Sequence, residues 1–409
     1  MKKIYRYAVL IALGMLLMPG CKKLDEVNTN PNNPLTVTPA TQLLSSQLLI
    51  GYAMGGDMSR FASIFDQQVY GASRQAASYN VYIAGNADFD APWGNMYQGM
   101  TNLNDMINTA TKGGNVYYAG IGKIMLAYAL GMSTDVWNSI PYSQAFQGFN
   151  NLQPGFDSQQ DIYTAIQKLL DDGLIDLNAG YGGNLLPGSD DIVYGGSITN
   201  WIALAHGLKA RFYLHTGKVV PANLTAAMTE VNSAITGWAP CSASPTGDAY
   251  FQFGTSELNA APWYQFTTSR PGDISFASST FAQTLQTEND PRLASFIDVG
   301  GDALGAFYGN PNSGVRLMSL AELFFIRAEL EFATDKASAA SDMNTGAITS
   351  VTNITGADPT GSAWANTYAS ETAGSVTLEK IMDQKFIDLY LDPESYTDWR
   401  RTGFPTLTP

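Results

Sequence analysis

Histidine and cysteine are almost missing from this 409-residue chain, which has two of each. His206 and His215 fall nine positions apart in a segment of helical period. At ~100° per residue that spacing puts them on opposite faces, so they cannot share a metal ion there. With only Cys21 and Cys241 there is no disulfide framework, and packing has to carry the fold. Charge is also scarce. Charged residues make up 14% of the chain, against roughly 25% in an average globular protein. The 22 Lys+Arg face 36 Asp+Glu with no long basic run, which excludes nucleic acid, whose binding depends on neutralising phosphates. HExxH, P-loop and G-x-S-x-G patterns are absent, and Gly120-x-Gly122 lies inside a helical segment, where it is a packing position. The neighbouring carboxylates Asp171-Asp172 and Asp190-Asp191 point apart rather than across a cleft, as glycoside hydrolysis would require. No catalytic residue, cofactor or metal is expected.

The first residues are better supplied. Lys2, Lys3 and Arg6 precede an apolar run, Tyr7 to Met18, that is too short to span a ~30 Å hydrocarbon core. It reads as a signal peptide over 1–20. Gly20-Cys21 then has the form of a lipobox, with Cys21 acylated and 21–37 a lipidated tether rich in Asn and Pro. Lipid chains contribute about 0.8 kcal/mol per buried methylene, enough to hold an acidic protein on a membrane that would otherwise repel it.

From residue 38 the pattern is helical. Thr38-Pro39 caps a helix carrying Leu43, Leu44, Leu48 and Leu49. Segments near 92–111 (Trp93, Met96, Met100, Leu103) and 116–136 (Ile121, Ile124, Met125, Tyr128) are joined by Lys112-Gly113-Gly114-Asn115, an antiparallel hairpin. A second pair starts at Ser158 and Asp161 and continues, after a Gly-rich loop, through Trp201, Leu204, Leu208 and Phe212. A third opens with the capping box Ser319-x-x-Glu322, its expected partner running from Leu378 to Leu391. Recurring hairpins without a strict repeat period predict a mainly α fold, a tetratricopeptide-like array of helical hairpins. A loop-rich, aromatic-rich insertion interrupts it at about 238–308. That window holds 12 aromatics, 9 charged residues and no lysine, so it has its own small core or displays its rings.

Sugar rings stack their C–H faces on Trp or Tyr while polar side chains take their hydroxyls. Trp263, Tyr264, Phe266 and Arg270 have that composition within the insertion, and Tyr79, Asn80 and Tyr82 have it in an earlier loop. These seven are the expected ligand-binding residues.

Several stretches together resemble the SusD/RagB family of Bacteroidetes outer-membrane lipoproteins, in its SusD-like branch. They are Asn30-Pro31-Asn32-Asn33-Pro34, Ser139-Ile140-Pro141-Tyr142, Trp201-x-x-Leu204-Ala205-x-x-Leu208-Lys209-x-Arg211, Asn289-Asp290-Pro291-Arg292, Ser319-x-x-Glu322, and Asp398-Trp399-Arg400-Arg401-Thr402-Gly403-Phe404-Pro405. The resemblance runs end to end and implies about four helix pairs as scaffold over 38–409. It also implies irregular loops as binding surface, an oligosaccharide or glycan as ligand, and a TonB-dependent SusC-like transporter as partner. Binding and delivery, with no bond broken, is the implied activity, at the outer membrane through the lipid anchor alone. Arg211, Glu322, Arg400 and Arg401 are read as structural. The family pattern continues for several tens of residues past the R-R-T-G-x-P motif, whereas this sequence stops at Pro409, so a fragment or shortened variant is expected. Two other readings are a peptide-binding member of the same family and a secreted glycoside hydrolase of helical-toroid fold.

The lipobox has a direct test. Cys21→Ala should move the protein from the membrane to the soluble fraction on sedimentation, and continued membrane association would refute the anchor.

Overall fold

A computed structural model describes residues 37–181 and 185–408; Cys21 and nearly all of the tether lie outside the described residues. Helix α1 (Pro39–Ala53) passes through one π turn at Met54–Met58 into α2 (Ser59–Phe65). After β1 (Tyr70–Gly71) and α3 (Arg74–Tyr79) come the long helices α4 (Asp90–Lys112) and α5 (Val116–Trp137), linked by the expected turn. Helices α6 (Gln159–Asn178), α7 (Ile198–Thr216) and α8 (Ala222–Gly237) complete the first part of the scaffold. The insertion contributes β2 (Ala249–Phe251), α9 (Pro262–Ser269), β3 (Ile274–Ser275), α10 (Thr280–Glu288), α11 (Leu293–Phe296), β4 (Ile297–Asp298), β5 (Ala303–Leu304) and α12 (Ala306–Gly309). The chain then returns through β6 (Val315–Met318) to α13 (Leu320–Glu331), α14 (Lys336–Thr355), α15 (Ala363–Tyr368), α16 (Leu378–Asp388) and α17 (Pro393–Thr402). No helix among the described residues is long and apolar enough to cross a membrane.

The fold is mainly helical, as expected, but its pairing differs from the sequence reading. The most extensive packings are α1 on α4, α5 on α6, α7 on α8, and α13 on α14. Helix α13 was expected to pair with 378–391; it packs chiefly on α14, and α16 takes a lesser contact. Helices α8 and α14 escape an apolar-stripe search because small residues make their buried faces. In α14, Ala339, Ala340, Gly346, Ala347 and Ser350 are buried between the larger Met343, Val351 and Ile354. A Cβ at Gly346 would lie 2.9 Å from Phe325 Cε1, so the absence of a side chain lets the two helices close.

Helix α5 is the centre of the main core. It is apolar on nearly every face, and every residue from Tyr118 to Asp135 except Lys123 is buried, the pattern of a helix enclosed by others. Each fully buried Leu, Ile or Met there contributes roughly 1.5–3 kcal/mol. A separate aromatic core serves the insertion. Phe281 stacks on Tyr390 at 4.5 Å and 5°, and Phe296 packs on Tyr390 at 4.9 Å. The insertion therefore has its own core, though one it shares with the end of the chain.

Antiparallel two-strand pairings fasten the insertion. β2 pairs with β6 (Phe251 opposite Val315), and β1 pairs with β3 (Tyr70 opposite Ser275). The second pairing draws the 70–90 loop alongside α9.

Buried charges tie the scaffold together. Ser319 Oγ accepts from the Glu322 N–H at 3.1 Å, but the carboxylate of Glu322 does not complete the expected capping box. It takes Arg211 Nε at 2.8 Å and Nη2 at 2.6 Å, both residues being essentially inaccessible. His215 lies between Glu394 (Nε2 to Oε1, 2.7 Å) and Asp135 (Nδ1 to Oδ2, 3.2 Å). Lys385 meets Asp398 at 2.6 Å, and Arg401 bridges Asp398 and Glu329. Arg400 donates to the carbonyl of Asp135 near the end of α5. The arginines read as structural from sequence pair with carboxylates or a helix end. Burial would push the His215 imidazole down, but Glu394 and Asp135 outweigh it and hold its pKa up at about 10.

Two outcomes follow. Arg211→Met leaves Glu322 charged and unpaired, and should cost about 3–5 kcal/mol in urea unfolding, much of it recovered in Arg211→Met/Glu322→Leu. The His215 contribution should be complete below its unfolded pKa of about 6.5 and disappear as pH rises through about 10. Asp66 and Asp392, pushed up to about 7 by burial, lower stability in an earlier window, from about pH 4 to 7. The stability difference between wild type and His215→Gln therefore isolates the imidazole; it should be large at neutral pH and vanish above pH about 10.

Candidate functional site

The loop after β1 and helix α9 meet because Trp263 pins one to the scaffold. Its indole N–H donates to Ser59 Oγ on α2 at 2.8 Å, and the side chain is only 3% exposed. Trp263 was expected to bind ligand; it is a core residue, since its polar edge has a partner on α2 and its rings pack edge-on to Phe266 and Phe276. Tyr79 is also enclosed, by neighbouring rings rather than by a hydrogen bond. It is 5% exposed and sits edge-on to Phe61 at 4.7 Å. Asn80 is half-buried, and its Oδ1 accepts from the Gly71 N–H at 3.4 Å, a turn contact. Tyr82 is exposed and stacks on Phe65 at 5.9 Å.

Tyr264, Phe266 and Arg270 are brought together. With Thr267, Ile274, Phe276 and the 301–304 turn they line an open cavity of about 450 Å³. Helical spacing explains the arrangement: Trp263 turns inward while Tyr264 and Phe266 stay half-buried at the rim. The Arg60 guanidinium sits 4.2 Å from the Phe266 ring centroid and covers one face of it. Burial lowers the Arg60 pKa to about 10; Tyr79 opposes the shift and Arg270 adds to it. Across the cavity, Asp302 has φ +47°, and its carboxylate accepts from Ser275 Oγ (3.1 Å) and the N–H groups of Phe276 and Ala277 (2.8 Å each). These bonds make the far wall rigid.

A second open cavity, about 440 Å³, lies at the start of α4 and the end of α5, lined by Ala84, Gly85, Asn86, Phe89, Asp90, Trp93 and Trp137. In the sequence Trp93 reads as part of an apolar stripe, and Trp137 stands at the end of the next helical segment with nothing to mark it as a site. The available signal was their position at helix ends beside polar loops. A narrow cavity of about 40 Å³, lined by Arg60, Phe61, Tyr79, Asp88, Phe266 and Arg270, adjoins the Tyr264–Phe266 cavity.

The adjacent carboxylates and the two histidines singled out in the sequence are engaged elsewhere. Asp171 pairs with Lys209 and Asp172 with Lys168, while Asp190 accepts from Tyr118 and Asp191 from Trp201. Neither adjacent pair acts on a common point. Asp135, His215 and Glu394 each place one ligand atom within 4.8 Å of the others. Both imidazole nitrogens there already face carboxylates, the arrangement of an imidazolium between two anions. His206 pairs with Glu230 at 2.6 Å.

The profile of a SusD-like family described as "Starch-binding associating with outer membrane" matches residues 31–316 and 310–409. The chain belongs to this SusD-like family. A SusD/RagB family protein from Bacteroides thetaiotaomicron is similar in structure, with a TM-score of 0.70 at 21% identity over 90% of this chain and 88% of that one. A chitin-binding protein has a TM-score of 0.72 at 22% identity over 91% and 88%. A chitin-binding SusD homolog from Flavobacterium johnsoniae has a TM-score of 0.63 at 22% identity over 90% and 83%. At these identities the likeness establishes the fold. No curated protein matches the chain.

Proposed function

We propose that this protein captures a neutral oligosaccharide at the outer cell surface and hands it to a TonB-dependent SusC-like transporter, held to the membrane by lipid on Cys21. The family description, starch-binding and outer-membrane-associated, supports the ligand class and the location. Two structural neighbours carry chitin-binding names, which favours a glycan over a peptide.

The observation that carries the reading is the cavity under Tyr264, Phe266 and Arg270. Its volume suits one or two sugar rings. Because Arg60 covers one face of Phe266, the other is left for a ligand, and Tyr264 offers a second ring beside it. Arg270 is half-exposed; its nearest carboxylate, Asp273, is 3.9 Å away, so its donors remain open to hydroxyls. Asp302 has no such freedom, since its three accepted bonds shape the wall. The mechanism is reversible binding: apolar C–H faces leave water for aromatic rings, and a few polar groups set orientation.

Isothermal titration against starch-derived and chitin-derived oligosaccharides tests this. Tyr264→Ala and Phe266→Ala should each weaken binding about tenfold or more, with little change in melting temperature. Trp263→Ala should instead lower unfolding free energy by about 3–5 kcal/mol, as removal of a buried Trp does. Full affinity in both Tyr264→Ala and Phe266→Ala would remove this cavity from the binding site.

A further inference from the structure

We propose that the narrow cavity beside Phe266 is a specificity slot for the acetamido group of an N-acetylated sugar, so that the protein prefers N-acetylhexosamine oligosaccharides to unsubstituted glucans. The inference deepens the glycan reading above and rests on it.

The slot adjoins the Tyr264–Phe266 cavity and shares Phe266, Arg270 and Ile274 with it. A sugar ring lying on Phe266 can therefore direct a substituent into it. Size sets the first limit. At about 40 Å³ the slot has space for roughly three non-hydrogen atoms, since one water needs about 10–15 Å³. A hydroxyl contributes one such atom and leaves the rest of the slot unfilled. The acetyl part of an acetamido group contributes three.

The chemistry of the walls sets the second limit. Phe61, Ile64, Ala76 and Ile274, each at most 6% exposed, supply apolar surface on which a methyl group can lie. The remaining walls are polar. Tyr79 is 5% exposed, and its hydroxyl is buried without a hydrogen-bond partner, although burial and the nearby Asp88 carboxylate together push its pKa up. A buried donor in that position destabilises the fold until an acceptor reaches it, and an amide carbonyl is such an acceptor. Arg270, common to the slot and the larger cavity, is a second donor.

Charge sets the third limit. Asp57, Asp88 and Asp273 line the slot, and three arginines match them: Arg60 pairs with Asp57, Arg74 pairs with Asp273 at 3.0 Å, and Arg270 remains to balance Asp88. The slot is close to neutral. An uncharged polar group suits it better than an ammonium or a carboxylate, either of which would unbalance it in a partly buried place. Its walls are also fixed in advance. Asp88 accepts from the Gly85 N–H at 2.6 Å and from Gln75 Nε2 at 2.7 Å, and Asp273 accepts from Ser73 Oγ at 3.1 Å.

Isothermal titration with three oligosaccharide series of equal length tests the inference: N-acetylated chito-oligosaccharides, their fully deacetylated glucosamine counterparts, and cello-oligosaccharides, which carry a hydroxyl where the acetamido group stands. The acetylated series should bind at least ~10-fold more tightly than either of the others. Tyr79→Phe should narrow that preference roughly 3–10-fold, the effect of one hydrogen bond, with a melting temperature equal to or above that of wild type, because the hydroxyl it removes has no partner in the fold. Glucosamine or cello-oligosaccharides that bind as tightly as the acetylated series overturn the slot and leave the glycan reading in place. A preference unchanged in Tyr79→Phe, or a lower melting temperature in that variant, overturns the role given to the Tyr79 hydroxyl and the slot with it. Absence of binding by all three series overturns the glycan reading and this inference together.

Discussion

The Arg211–Glu322 pair is the contact on which the scaffold turns. It joins α7 to the first turn of α13, residues 111 positions apart, in a place water does not reach. A buried charge is tolerated only with its partner and its hydrogen bonds. Arg211 Nη2 also donates to the Leu317 carbonyl at 2.8 Å, so the strand that returns from the insertion is held by the same guanidinium. From there the network extends through Glu394 and His215 to Asp135, and through Lys385, Asp398 and Arg401 to Glu329. Five helices are thereby set in register by groups whose separation would leave ions in an apolar interior.

This accounts for where the few charges go. In a chain with only 14% charged residues, Arg211, Arg292, Arg316, Lys385 and Arg401 are all largely enclosed against carboxylates. Arg74 and Arg270 are about half exposed, and Arg270 lines the candidate binding cavity. Charge inside serves specificity of assembly, while the Tyr264–Phe266 cavity is lined mainly by rings and small or short polar residues, with Arg270 and Asp302 as its charged groups. Such a surface matches a hydroxyl-bearing ligand better than an ionic one.

The helices themselves were readable. Ser158, Ser319 and the Gly113–Gly114 turn mark element ends where they occur, and the Leu and Met stripes of α4 and α6 predict their buried faces. Pairing was less readable, because a stripe tells which face is apolar and not what covers it. Helix α14 made the difference for α13. Ala, Gly and Ser break up the apolar stripe of its buried face, which weakens the contrast with its surface, yet they let it fit α13 closely because they are small. The capping box failed for a related reason: Glu322 satisfies the local motif equally well, and Arg211 offers it a stronger, buried partner.

The binding residues divide along the same line. Sequence alone determined that the insertion is rich in rings and poor in charge, that acid–base and metal chemistry have almost no residues to use, and that α9 carries an aromatic cluster. Composition and period are local properties, so they survive without coordinates. Only the tertiary structure decided which rings stay open. Trp263 is closed by Ser59, 204 positions away, while Tyr264 beside it stays half-buried at the rim of the cavity. Exposure of a side chain depends on neighbours brought from elsewhere in the chain, and adjacent residues of one type, such as Trp263 and Tyr264, part company when one points into the core and the next to its rim.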